Sequence, residues 1–161
     1  MAKKKLAGTA AVRVLKAAGV DFIPHTYKYE ARGGTAVSSR ALGVDEHTVI
    51  KTLVMETAAG DPLVVLMHGD AQVSTKSLAR HLGVKAVSPC DPHVAQRHSG
   101  YTVGGTSPFG LRKEMPVYAQ RTIEAMERIF INGGRRGFLV ELSPHVLGAV
   151  LEVEWVDVAT G

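Results

Sequence analysis

Cysteine is nearly absent: Cys90 stands alone among 161 residues. That excludes an internal disulfide and any cysteine-based metal site. Long hydrophobic runs are also missing. The longest candidate, Leu63 to Met67, is strand-sized and far short of a membrane span. The N-terminus carries Lys3, Lys4 and Lys5, but Arg13 and Lys16 interrupt any apolar stretch of the signal-peptide kind, so the cytoplasm is the expected compartment. The lysine tail reads first as a solvated terminus, with an RNA contact as its alternative. No linker, internal repeat or low-complexity tract is visible, so residues 1–161 are expected to form one domain.

Motifs for the common chemistries are lacking as well. Seven histidines invite a metal, yet there is no His-Glu-x-x-His, and His93 and His98 stand five apart, off a common helical face. Neither metal nor cofactor is expected. The carboxylates show no paired arrangement typical of a glycosidase or a two-metal site. Ser107 is outside a Gly-x-Ser-x-Gly elbow and precedes Pro108. Cys90 sits at a helix entry, which favours a thiolate, but beside Asp91, which opposes one. It reads as an incidental loop cysteine before it reads as a nucleophile. An enzyme built this way works by positioning and backbone electrostatics.

What is present is an ordinary globular composition, 45% hydrophobic and 21% charged, with a net charge of +4. That mild basic bias permits nucleic-acid binding without demanding it. Cap signals place helices from Thr9 to about Ala18, from Thr35 to Gly43, from Ser74 to His81, from Asp91-Pro92 to about His98, and from Ser143-Pro144 to about Leu151. Asp45 can start a further turn, and Thr122 to Glu127 reads as a short helix or turn. Strand patterns fall at 22–28, 49–55, 63–68, 84–87, 116–119, 128–131, 138–142 and 154–158, the second and third forming a hairpin. Several of these pairs are joined by turns too short for a parallel crossover. The expected fold is α+β: a mixed, largely antiparallel sheet curled into a barrel, with helices packed outside.

Two glycine-rich segments stand out. Gly100-Tyr-Thr-Val-Gly-Gly-Thr-Ser-Pro-Phe-Gly110 is too rich in glycine for a helix or strand interior, and too apolar for a floppy linker. Asn132-Gly-Gly-Arg-Arg-Gly137 adds two guanidiniums. Together they resemble walls of a site for an anionic or ester-bearing ligand. Arg135 and Arg136 read equally as a solvated turn or a phosphate contact. Lys51 lies among apolar neighbours, on the strand face of Leu53 and Met55. It either snorkels at a strand end or points into a pocket. Tyr27 is either an ordinary strand aromatic or a pocket wall.

In order along the chain, His25-Thr26-Tyr27, Ile50-Lys51-Thr52-Leu53, the Gly100–Gly110 segment and Gly133-Gly134-Arg135-Arg136-Gly137 resemble the YbaK/EbsC family of aminoacyl-tRNA editing proteins. That family is related to the editing domain of bacterial prolyl-tRNA synthetases. The resemblance implies a deacylase of mischarged Cys-tRNA(Pro), or of Cys-tRNA(Cys). It also implies a reaction in which the substrate's own thiol attacks its ester carbonyl. It implies catalytic roles for Lys51, holding the ester end or terminal adenosine, and for an amide of Gly104 or Gly105 as oxyanion donor. Tyr27, Tyr101, Gly105, Thr106, Ser107, Pro108, Gly134 and Arg136 are the implied substrate-binding residues. The acceptor end of aminoacyl-tRNA and prolyl-tRNA synthetase are the expected partners, with no membrane. An Ala-tRNA(Pro) deacylase and a non-catalytic nucleotide- or RNA-binding module are the alternatives.

Overall fold

The computed structural model describes residues 8–160; the Lys3–Lys5 tail lies outside them. Thr9 begins the fold. Its hydroxyl accepts from the Val12 amide at 3.1 Å and starts α1 (Ala10–Ala17), whose Ala11, Val12 and Leu15 are buried. Next come β1 (Ile23–Thr26) and α2 (Gly34–Leu42). Thr35 lies inside α2 rather than capping it. Its hydroxyl donates to the Glu46 carboxylate at 2.7 Å and so joins the helix to the following turn. Asp45 caps a 3-10 turn, Glu46–Thr48, leading into the hairpin of β2 (Val49–Thr57) and β3 (Pro62–His68).

β4 (Gln72–Val73), α3 (Thr75–Leu82), β5 (Val87–Pro89) and α4 (Pro92–Ser99) follow. The first glycine segment then leads to β6 (Val117–Gln120), a 3-10 turn at Arg121–Ala125, β7 (Ile129–Arg135) and β8 (Phe138–Leu142). The chain closes with α5 (His145–Val150), β9 (Val153–Val156) and β10 (Ala159–Thr160). The two-residue strands β4 and β10, which pair with each other, are too short to leave a pattern in the sequence.

The main sheet runs β1-β8-β7-β2-β3-β6-β9, with β5 also on β2. The pairs β1–β8, β7–β8, β2–β3 and β2–β5 are antiparallel, while β2–β7, β3–β6 and β6–β9 are parallel. The sheet is therefore mixed and largely antiparallel, as expected. The expected barrel is not found. β1 and β9 lie at opposite ends of the path and do not pair with each other. Instead of closing, the sheet forks at β2, where β7 holds Val49 and Ile50 and β5 holds Met55 to Thr57 on the same side.

Both faces of the sheet are covered. Ile50, Val54, Val64 and Leu66 pack with α1 and Phe109 on one face. Met55, Leu63, Val65 and Met67 pack with Leu78 of α3 on the other. This explains why Leu63–Met67 is a continuous apolar run rather than an alternating one.

Candidate active site

The fork in the sheet opens into a cavity of about 910 Å³, the size range of small-ligand sites. It is walled by β2 from Val49 to Met55, by the segment from Tyr27 through α2, by the first glycine loop and by the start of α4. Of the residues singled out in the sequence, Tyr27, Lys51, Gly104, Thr106 and Arg136 line it.

Lys51 is half-buried in this wall, and its ammonium donates to the Ala71 carbonyl at 2.6 Å. Burial pushes its pKa down, with Glu46 and Asp70 pulling the other way. Tyr27 has its phenol pushed up by burial, opposed by hydrogen bonding from its surroundings, including the Ser38 hydroxyl. Cys90 also lines the cavity, but burial first, then Glu56 and Asp91, push its thiol pKa up. It is held as a thiol, a poor nucleophile.

The first glycine loop turns at residues 102–105. The Gly105 amide donates to the Thr102 carbonyl at 2.8 Å, and Gly104 takes φ +92, which favours glycine. The Gly105 amide is thus consumed by the turn, whereas the Gly104 amide has no partner among the described residues. A Cβ on Gly104 would lie 2.8 Å from the Tyr29 hydroxyl, so the loop seats directly on that tyrosine.

The second glycine segment is not a free loop. β7 continues through it to Arg135, with a bulge between Asn132 and Arg135. Gly133 leaves room for the Phe138 ring, which a Cβ would meet at 2.3 Å. Asn132 holds the two glycine segments together. Its Oδ1 accepts from the amides of Gly134 at 2.7 Å and Arg135 at 3.0 Å, and its Nδ2 donates to the Gly104 carbonyl at 3.2 Å. Arg136 donates from Nε to the Val103 carbonyl at 3.0 Å and stacks its guanidinium 5.0 Å over the Tyr29 ring.

Tyr101, Gly105, Ser107, Pro108 and Gly134 do not line the cavity. Tyr101 is buried with its phenol donating to the Phe109 carbonyl, and burial pushes its pKa up to about 12. Ser107 is fully buried and accepts from the Phe109 amide at 3.2 Å, while Pro108 is buried beside it. Gly105 and Gly134 serve close packing, since a Cβ would fall 2.7 Å from the Arg136 amide and 2.8 Å from the Tyr101 ring respectively. The structure makes these five the frame under the site.

Tyr29 lines the cavity from outside every motif, while Thr52 and Asn132 line it from within motifs that assigned them no role. For Tyr29, spacing two from Tyr27 was a usable signal. For Asn132 and Thr52, nothing local distinguishes them from an ordinary strand residue. Among the cavity's charged residues, Arg32, Lys51 and Arg136 outnumber Glu30, so the field favours an anionic ligand. Arg32 itself holds φ +63, a left-handed conformation uncommon for a non-glycine residue, in the segment beside the site.

Known proteins are similar to this chain in sequence and fold. The chain is 27% identical over 162 aligned positions to a candidate Cys-tRNA(Pro)/Cys-tRNA(Cys) deacylase, EbsC, of Enterococcus faecalis, covering 99% of each. It is 34% identical to proline–tRNA ligase of Citrifermentans bemidjiense over 57% of this chain and 16% of that enzyme. In structure it resembles a candidate trans-editing enzyme for prolyl-tRNA synthetase, with a TM-score of 0.82 at 20% identity, covering 98% of this chain and all of that one. A family model for the aminoacyl-tRNA editing domain matches residues 32–148, a span that takes in α2, all of β2 and both glycine segments. With the cavity and most of its walls inside that match, the chain belongs to the aminoacyl-tRNA editing domain family.

Proposed function

We propose that this protein is a trans-acting aminoacyl-tRNA deacylase that clears Cys-tRNA(Pro). The observation that carries the reading is one cavity lined by a half-buried lysine, Lys51, and by Gly104, whose amide is unpartnered among the described residues. The thiol that lines the same cavity, Cys90, is a poor nucleophile, since burial pushes its pKa up. The relative described as a Cys-tRNA(Pro)/Cys-tRNA(Cys) deacylase supports the choice of substrate.

In this chemistry the substrate supplies the nucleophile. Its cysteine thiol loses a proton, and the sulfur forms a bond to the ester carbonyl carbon. The bond from that carbon to the ribose oxygen breaks, the oxygen takes up a proton, and a thiolactone leaves for water to open. The protein's task is to fold the aminoacyl group into this geometry, a contribution of roughly 7–11 kcal/mol for well-held reactants. The Gly104 amide meets the developing oxyanion. Lys51 holds the ester end or the terminal adenosine by charge. Tyr27, Thr106 and Arg136 bound the remaining space.

A small basic protein has limited surface for reading tRNA identity, so selection of tRNA(Pro) falls to prolyl-tRNA synthetase, acting in a complex in the cytoplasm. Failure of the two proteins to crosslink in the presence of tRNA counts against that partnership. No helix among the described residues is long and apolar enough to cross a membrane. The test of the activity is a deacylation panel of Cys-tRNA(Pro), Ala-tRNA(Pro) and Ser-tRNA. Cleavage of the cysteinyl ester is expected, and its survival at excess protein refutes the reading. Binding without cleavage favours a non-catalytic RNA module, and preferential loss of the alanyl ester favours the alternative substrate.

A further inference from the structure

Alternate residues of an antiparallel strand turn their backbone groups to opposite neighbours. The Gly69 amide bonds the Val49 carbonyl and the Thr57 amide bonds the Asp61 carbonyl, so the odd-numbered residues of β2 are those bonded toward β3. Thr52 therefore turns its N–H and C=O the other way, into the fork. There β7 has ended at Ile50 and β5 has not yet begun at Met55. The carbonyl of Val54, next in phase, is taken by the Cys90 amide at 3.1 Å, but that of Thr52 has no backbone partner among the described residues. The side chain adds a second free acceptor. Thr52 Oγ1 is buried without a hydrogen-bond partner among the described residues. Thr52 forms part of the cavity wall.

Folding does not account for that hydroxyl. A buried, unpaired hydroxyl is destabilising, and valine has a similar shape and suits a strand between Ile50 and Val54. The strand face of Thr52 is the one opposite Lys51, Leu53 and Met55. A cation bound at Thr52 is thus separated from the Lys51 ammonium by the strand itself.

We propose that Thr52 receives the α-amino group of the aminoacyl ester, its carbonyl and hydroxyl accepting that group's hydrogen bonds. The inference rests on the deacylase reading and adds a specificity element to it. An amino group brings two or three donors, and Thr52 offers two free acceptors in one residue. Fixing the amino group fixes the substrate Cα, from which both the thiol and the ester carbonyl project. Thr52 is a positioning residue, and it makes the site selective for an unblocked aminoacyl group.

The test is single-turnover cleavage of two esters of the same tRNA: cysteinyl, and 3-mercaptopropionyl, which keeps the thiol and the ester but has no α-amino group. The wild-type protein is expected to prefer the cysteinyl ester by about 10- to 100-fold, the worth of hydrogen bonds to a charged group. Thr52→Val is expected to lose about tenfold on the cysteinyl ester, none on the mercaptopropionyl ester, and to melt at or above the wild-type temperature. Thr52→Ser is expected to retain the preference. Thr52→Ala, which cannot overpack, is expected to show the same selective loss as Thr52→Val. Equal losses on both esters, or wild-type protein that cleaves both at the same rate, overturn the inference while leaving the deacylase reading intact. Wild-type protein that cleaves neither ester overturns both.

Discussion

At the scale of single residues, the site sets stability against function. Lys51 keeps a charge in a half-buried wall, and burial lowers its pKa below the ordinary 10.5. In the unfolded chain the ammonium regains water, so at neutral pH its burial opposes folding, and this opposition is relieved as pH rises from the lowered value toward the ordinary one. Lys51→Met is expected to lose cleavage by at least about 100-fold without lowering the melting temperature at pH 7. Its melting temperature is expected to lose ground against wild type as pH rises into the lysine range. Paired melts and single-turnover rates check this. Gly104 makes the opposite case. At φ +92, with the Tyr29 hydroxyl 2.8 Å from where a Cβ would sit, Gly104→Ala is expected to cost about 1–3 kcal/mol and to displace the amide proposed as oxyanion donor. Denaturant titration and cleavage assays of that variant should fall together. Cys90→Ala, by contrast, is expected to cleave within a few-fold of wild type, since the proposed reaction asks nothing of that thiol.

At the scale of elements, the two glycine segments act as one unit because Asn132 and Arg136 tie them together. Asn132→Ala removes the acceptor for two amides and the donor to the Gly104 carbonyl. The expected cost is about 1–3 kcal/mol in stability, with a drop in kcat exceeding any rise in KM, because the loop carrying the proposed oxyanion donor loses its anchor. Urea unfolding and steady-state kinetics separate the two effects. The sequence pointed to the segments themselves, since glycine density and a strand-embedded lysine are local signals. It did not disclose that Asn132–Arg135 is a bulged strand, because Gly133 is there to admit the ring of Phe138, a contact across a hairpin. For the same reason Tyr101 and Ser107 could be placed near the site but not under it. Caps and hairpins were legible because Thr9, Asp45, Ser74 and Pro92 act within a few residues of themselves. The fork at β2 was not, because it depends on where β5 and β7, distant in sequence, stop pairing.

At the scale of the molecule, the edge strand β1 is held to β8 by more than its ladder. His25 meets Glu141 at 2.8 Å, and Arg128 reaches the same carboxylate at 3.2 Å. Hydrogen bonding from His25, with Arg128 contributing, holds the Glu141 carboxyl below its ordinary 4.5. A depressed carboxylate contributes stability above its unfolded pKa and loses it as pH falls through the folded value. Glu141→Gln is therefore expected to be less stable than wild type near neutrality by about 1 kcal/mol, and the difference should shrink below pH 4.5; melts across that range check it. This strand, with β8 and β7 behind it, supports the Tyr27 side of the cavity. The net charge of +4 makes a related expectation, that kcat/KM on full-length tRNA falls as salt rises, while cleavage of a short aminoacylated fragment changes less.

The central claim is that the protein organises a reaction whose nucleophile belongs to the substrate. Single-turnover cleavage of Cys-tRNA(Pro) and Ser-tRNA(Pro) by wild-type protein and by Cys90→Ala tests it most directly. Rapid loss of the cysteinyl ester with both proteins, and persistence of the seryl ester with both, is the predicted result. Cleavage of the seryl ester at a comparable rate, or loss of cysteinyl cleavage in Cys90→Ala, contradicts it.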